Sequence, residues 1–324
     1  EQVADLADVV GQSHARFAVE VAAAGGAHHL MLTGPPGVGK KTMLAQRLPG
    51  GLLPELTESE ALEVTAIHSV VGMLSETTPP LITRPPFIAP HHSSSVAALV
   101  GGGSGMARPG AVSRAHRGVL FLDECAEIRV SVLESLRTPL EDGGEIRLAR
   151  RDGVACYPAR FQLVMAANPP CACAKTDPKD CICTSLDKRR YLGKLSGPLM
   201  DRVDLRVEMH TVRAGAFAPE AAESTAAVRD RVGQARAAAA ERWRRYGFTT
   251  NAEVTGSVLR RKFRLDSTAM APLKTALERG VLSIRGVDRS LRVAWTLADL
   301  AGRTMPNVDD VAVALSFRQA GAKP

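Results

Sequence analysis

The 324 residues are 45% hydrophobic and 23% charged, the balance of a globular protein with room for about two domains and a substantial core. No run reaches the roughly 18 apolar residues of a membrane helix, and EQVADLADVVGQ has neither the basic start nor the apolar block of a signal peptide, so no membrane partner and a cytoplasmic location are expected. Net charge is +7, with 19 Lys+Arg against 11 Asp+Glu in residues 213–324 and 22 against 23 before them; a basic third suits an anionic partner, nucleic acid first, and equally a merely solvated surface.

In chain order, HHLMLTG reads as a short apolar strand running into GPPGVGKKTML, residues 34–44, after which a helix begins. Strand, glycine loop and helix are the setting of a phosphate-binding loop, whose pattern is Gly, four residues, Gly, Lys, then Ser or Thr. Gly34, Gly39 and Lys40 fit, with Pro35, Pro36, Gly37 and Val38 between them. The next residue is Lys41, however, and the hydroxyl arrives one place late at Thr42. Since a helix turns about 100° per residue, Thr42 is rotated away from a metal unless the first turn bulges or the loop absorbs the insertion. In the other register Lys41 is the phosphate lysine and Lys40 replaces the last glycine, where its side chain crowds the phosphates.

GVLFLDE, residues 118–124, and FQLVMAAN, residues 161–168, are two further apolar strands, and their near-continuous hydrophobicity suits a buried parallel sheet. Asp123 and Glu124 end the first of them. There an aspartate holds Mg²⁺ beside ATP phosphates cradled by the loop, and a glutamate polarises the attacking water. Asn168 ends the second, where an amide orients that water, or simply turns the chain before Pro169. ECAEIRVSVLESLRTPLED reads as a helix, and EIRLARRDGVACYPARF as a hairpin turning at Asp-Gly. The expected fold is therefore α/β, a parallel sheet flanked by helices.

Cys171, Cys173, Cys181 and Cys183 form a C-x-C-x7-C-x-C set. Four thiolates suit a structural Zn²⁺, with reduced thiols or a redox disulfide as the alternative. Cys125 and Cys156 read as core residues. Residues 213–240 pass from a Pro/Ala loop into a polar Ala-rich helix, and the domain boundary is placed there. Beyond it STAMAPLKTALERG, RGVDRSLRVAWTLADLAG and VDDVAVALSFRQ are helical, with Gly280 and Gly302 as stops.

Taken in order, GPPGVGK, APHHSSSVAALVGGG, GVLFLDE, AANP, LSGPLMDRVDL and SIRGVDRSLRVAWTLADL resemble the magnesium-chelatase-like AAA+ ATPases of the YifB/ComM group. The resemblance implies an AAA+ P-loop ATPase core over 1–212, a linker and helix over 213–240, and a small all-helical lid over 241–324, without the Lon-like N-terminal domain that precedes this module in members of the group. It implies a homo-hexameric ring that binds ATP and Mg²⁺, and for ComM-type members a DNA helicase promoting branch migration in recombination during natural transformation. Asn168 then resembles the sensor that positions water, and Arg202 the arginine finger, unless it pairs with Asp201 or Asp204. Arg285 resembles the lid sensor, with Arg289 and Arg292 as alternatives near the same helical face. The hairpin with Arg147, Arg150 and Arg151, and the segment with His91 and His92, resemble two elements that line the pore, or are solvated loops. Lys41 departs from the family pattern, as do apparent doublings at Gly50-Gly51, Pro79-Pro80, Gly143-Gly144 and Pro169-Pro170. They weigh on catalytic competence rather than fold. A chelatase-like subunit driving a partner, and a hydrolysis-impaired nucleotide-binding scaffold, therefore stand beside the motor reading.

Overall fold

The computed structural model describes residues 5–75, 79–103, 107–141, 144–150, 153–168, 197–211 and 223–319, with 184, 186, 193 and 195; the side chains of residues 41–43 and 150 lie outside that description. Nine strands appear among these residues: β1 (Leu30–Thr33), β2 (Phe87–Ile88), β3 (Gly101–Gly102), β4 (Arg108–Pro109), β5 (Val119–Leu122), β6 (Glu145–Arg150), β7 (Gly153–Pro158), β8 (Gln162–Ala167) and β9 (Leu205–Glu208). Five form a parallel sheet in the order β2-β5-β8-β1-β9, flanked by helices, and β3-β4 and β6-β7 are separate antiparallel ribbons. The chain divides into two compact units, Thr33–Arg202 and Glu1–Leu32 with Val203–Pro324.

Within Thr33–Arg202, every residue of β5 and β8 is buried, as their unbroken apolar runs require of central strands. Their register pairs Val119 with Gln162 and Leu122 with Met165, so Asp123 and Glu124 leave the sheet beside the end of β8. The start of β5 is tied down by the helix Glu58–Val70. Arg117 pairs with Glu60 at 3.1 Å and with Glu63 at 3.4 Å. The His116 ring accepts from the Arg160 N–H through Nδ1 at 3.0 Å, so its proton sits on Nε2 and is donated to Glu63 at 2.9 Å.

The expected helix over 124–142 is broken into a 3₁₀ turn, Cys125–Glu127, and two short helices, Val130–Glu134 and Arg137–Glu141. Glu124 lies in the left-handed region and Ile128 and Arg129 are extended, so no continuous ladder forms. The Ser135 hydroxyl also donates to the Val132 carbonyl at 2.6 Å, and Pro139 has no N–H to give. The hairpin is present, and its register pairs Arg150 with Gly153, so Gly153 opens the second strand.

The doubled residues in and after the glycine loop coincide with a change of helix type. Lys40–Ala45 and Leu48–Leu52, which contain Lys40-Lys41 and Gly50-Gly51, are both π-helical. A π turn holds one more residue per hydrogen-bonded ring than an α turn, and so stores a single insertion without rotating the following faces. The Leu53 N–H donates to the Leu48 carbonyl at 2.8 Å, the five-residue spacing of such a turn.

The other unit is built largely of helices: Ser13–Ala24, Thr225–Trp243, Gly256–Arg261, Ser267–Glu278, Ile284–Leu300 and Val308–Gln319. Gly280 and Gly302 follow two of them at φ +68° and +67°, the left-handed closure that favours glycine. Trp243, Phe263 and Trp295 pack edge to face at its centre. Arg242 stacks 4.4 Å over the Trp295 ring and pairs with Asp299, while Asn251 accepts from the Trp243 indole at 2.8 Å. Asp204 is buried, paired with Arg289 at 2.9 Å, and accepts the His29 N–H at 2.8 Å. Burial drives His28 and His29 each down to about 4, Asp204 opposing the shift.

Candidate active site

Three neighbouring chain ends converge in the unit Thr33–Arg202. The loop after β1 is held to the end of β8 by the Gly34 N–H on the Ala167 carbonyl, 3.2 Å. Gly37 and Gly39 adopt φ +84° and +83°, which other residues reach only with strain, so these two positions need glycine. Lys40 opens the π turn with its ammonium directed back into the loop. It donates to the Gly34 carbonyl at 2.5 Å, the Pro35 carbonyl at 3.1 Å and the Asn168 side-chain oxygen at 3.1 Å. Burial lowers the Lys40 ammonium, while Asp123 first, then Cys125 and Glu124, hold it up. Lys40 is thus the lysine joined to the loop and to Asn168; the side chains of Lys41 and Thr42 lie outside the described residues.

Asp123 is half-buried and Glu124 exposed. The Glu124 N–H donates to Asp123 Oδ1 at 2.9 Å, and Glu124 holds φ +48° and ψ +40°. A non-glycine residue there costs about 1–2 kcal/mol, and such strain gathers at functional sites. The turn aims the Glu124 carboxylate toward His92, whose Nδ1 lies 3.0 Å from Glu124 Oε2. The sequence offers no signal for that contact, 32 residues apart, because it depends on the register of β2 against β5. Burial pushes the Cys125 thiol up to about 12, with Asp123 adding to the shift, so Cys125 is an inert core residue as expected. Cys156 is instead exposed, because it sits opposite Arg147 on the outward face of the ribbon.

Arg202 is nearly buried, its side chain 6% exposed. It pairs with Glu141 and donates to the Pro198 carbonyl. Of the two aspartates expected as alternative partners, Asp204 is paired with Arg289 at 2.9 Å. Arg292 donates to the Val254 carbonyl at 2.7 Å. Of Arg285, Arg289 and Arg292, Arg285 is the exposed one, in the first turn after the Ser283 cap. Arg147 is exposed on β6. Arg151, Cys171, Cys173, Cys181 and Cys183 lie outside the described residues, as do Gly143, Pro169 and Pro170. Among the described residues there is no cluster of metal-ligating side chains, and no helix is long and apolar enough to cross a membrane.

The profile of magnesium chelatase subunit ChlI matches residues 5–217, and that of the ChlI C-terminal region residues 222–318. The chain belongs to the magnesium chelatase ChlI family. An uncharacterized protein of Mycobacterium tuberculosis is 79% identical over 323 residues, covering 100% of the chain and 63% of the relative. The competence protein ComM of Haemophilus influenzae is 40% identical over 322 residues, 97% of the chain and 60% of ComM. The magnesium-chelatase 38 kDa subunit of Rhodobacter capsulatus is 28% identical over 175 residues, about half of each chain. The chain thus spans about three fifths of the ComM and mycobacterial relatives. The resemblance to the YifB/ComM group holds, and with it a chelatase-like AAA+ core and a helical C-terminal region.

Proposed function

We propose that the chain is the ATPase module of a ring-forming motor that acts on DNA, a helicase of the kind that promotes branch migration. The observation that carries the reading is the convergence of Lys40, Asp123, Glu124 and Asn168 where β5, β8 and the glycine loop end together. The loop amides and Lys40 bind the β- and γ-phosphates. Asp123 is a carboxylate oxygen donor of the kind Mg²⁺ prefers, and with the Thr42 hydroxyl would hold that ion, which supplies charge neutralisation on the phosphates. Glu124 takes the proton of the attacking water, and Asn168, already joined to Lys40, orients it. The π turn over Lys40–Ala45 supports catalytic competence over a crippled scaffold, since it accommodates the additional residue behind the lysine.

Arg202 is the arginine finger for a neighbour's site in a homo-hexamer and Arg285 the lid sensor, within a core over 1–212 and a lid over 241–324. That role for Arg202 requires its release from Glu141. The basic C-terminal third and Arg147 on the ribbon would meet the DNA backbone, and Cys171, Cys173, Cys181 and Cys183 would hold a structural Zn²⁺. The alternative, a chelatase-like subunit driving a partner, rests on the Rhodobacter relative, whose likeness covers half the chain. ATP turnover measured with and without single-stranded or branched DNA, at several salt concentrations, tests the reading. Stimulation that falls steeply with salt is expected; a flat response speaks against phosphate contacts.

A further inference from the structure

The helical unit carries a group of cations that the candidate site does not use. Residues 241–266 hold seven basic side chains and three acidic ones. Three of the seven are engaged in ion pairs: Arg242 with Asp299, Arg244 with Glu241 and Arg260 with Asp288. The two remaining acids are engaged by their own turns. Glu253 accepts the Thr249 and Thr250 N–H groups at 3.0 and 3.1 Å, and Asp266 accepts the Ala269 N–H at 2.8 Å. Arg245, Arg261, Lys262 and Arg264 are left, all four exposed, and among the described residues their side chains make no hydrogen bond or ion pair.

Aromatic packing gathers these four. The 3₁₀ turn Arg244–Tyr246 closes the helix Thr225–Trp243, and the chain returns through the helix Gly256–Arg261, whose end is held by the Lys262 N–H on the Val258 carbonyl at 2.9 Å. Phe263 then packs edge to face on Trp243, at 4.5 Å between centroids, and on Tyr246, at 5.5 Å. The Tyr246–Phe263 contact thereby brings Arg245, beside the one ring in sequence, to the same part of the unit as Lys262 and Arg264, which flank the other. Trp243 is buried, whereas Tyr246 and Phe263 are half-buried and leave ring surface to solvent beside the cations.

Grouped like charges repel, so four cations without acidic partners weaken the folded state rather than support it; an anion that neutralises them reverses the sign. The rings select the anion. Phosphodiester oxygens meet the cations, and unpaired bases stack on an aromatic face. A duplex keeps its bases stacked within itself, and a membrane surface calls for an apolar face free to enter it, whereas these rings are packed into the unit. We infer that Arg245, Arg261, Lys262 and Arg264, with the Tyr246 ring, form a binding surface for single-stranded nucleic acid on the helical unit. The inference rests on the reading of the chain as one that acts on DNA, and it adds a contact on a different unit from Arg147. All five residues belong to one compact unit of one chain, so the surface needs neither nucleotide nor a second copy.

Binding of a fluorescent oligo(dT) to the full chain, without ATP, is measured between about 50 and 200 mM salt. Four phosphate contacts on a single strand contribute a slope of about −2.8 to log K against log salt, a roughly 50-fold loss of affinity over that range. The quadruple variant Arg245→Gln, Arg261→Gln, Lys262→Gln, Arg264→Gln is expected to bind more weakly, with the slope flatter by about that amount. Tyr246→Leu is expected to weaken binding about 5- to 100-fold with the slope unchanged. Thermal unfolding checks both proteins; the four glutamines replace exposed side chains, so the quadruple variant carries the test should Tyr246→Leu fail to fold. An unchanged slope in the quadruple variant overturns the inference. So does a duplex of the same length bound as tightly as the single strand, or a quadruple variant that loses phosphatidylserine vesicles and keeps parental oligonucleotide binding. A parent that binds no oligonucleotide removes the DNA-acting reading itself, whereas a parent and a quadruple variant that bind alike remove only this surface.

Discussion

Deletion of Lys41 asks whether the additional residue is stored locally. Lys40 is anchored to two loop carbonyls and Asn168, while Leu44, Leu48 and Leu52 beyond it are 0–1% exposed. If no local turn took up the change, removing one residue would rotate those leucines by about 100° relative to Lys40. Three buried leucines at about 1.5–3 kcal/mol each amount to about 5–9 kcal/mol, comparable with the whole stability of a domain. Because Lys40–Ala45 is π-helical, the deletion instead closes that turn to an α turn and leaves both flanks in register. The expected change is then within about 1 kcal/mol, or about 2–4 °C in Tm. Thermal unfolding followed by circular dichroism on parent and deletion separates the two cases. A fall of about 10 °C or more, or an insoluble deletion protein, would refute local storage of the insertion. ATP turnover of the folded deletion protein is expected at or above the parental rate.

Acid should weaken the helical unit early. His28 and His29 are held neutral, near 4, so the unfolded chain binds protons first as pH falls below about 6.5. Their contribution is fully present above about 6.5 and is lost as pH falls toward 4, by up to about 2 kcal/mol apiece at pH 5. Urea midpoints should drop between pH 7 and 5, and drop less in a double His→Gln variant; parallel profiles would count against the shift. Arg202→Ala should leave ATP binding intact and lower turnover by about 10³-fold, read by nucleotide titration beside a hydrolysis assay. Equal turnover would refute the finger role for Arg202. Arg147→Ala should weaken DNA binding uniformly and reduce the salt slope by about 1; an unchanged slope takes the ribbon off the DNA path.

Much of the candidate site was legible because buried parallel strands write themselves as unbroken apolar runs. VLFL and QLVMAA became β5 and β8, and the residues just beyond them, Asp123, Glu124 and Asn168, fell at the sheet's carboxyl edge. Gly280 and Gly302 marked helix ends because a left-handed closure suits glycine. Illegible features depended on contacts far apart in sequence or on local backbone choices. Arg202 finds Glu141, 61 residues away, and Arg289 takes Asp204. A doubled residue looks the same in sequence whether it breaks a helix or widens one turn, and only hydrogen-bond spacing tells the two apart. Apolar periodicity over 124–142 likewise suggests one helix, since it does not register the left-handed turn at Glu124.

The central claim is that Lys40 and Glu124 serve one ATP-hydrolysing site. It is tested most directly by ATP binding and turnover, with Mg²⁺, in the parent chain, Lys40→Ala and Glu124→Gln. The account predicts that the parent hydrolyses ATP, Lys40→Ala loses binding, and Glu124→Gln binds ATP but turns over at least about 10²-fold more slowly. Parental turnover in Glu124→Gln, or a parent that neither binds nor hydrolyses ATP, would contradict it.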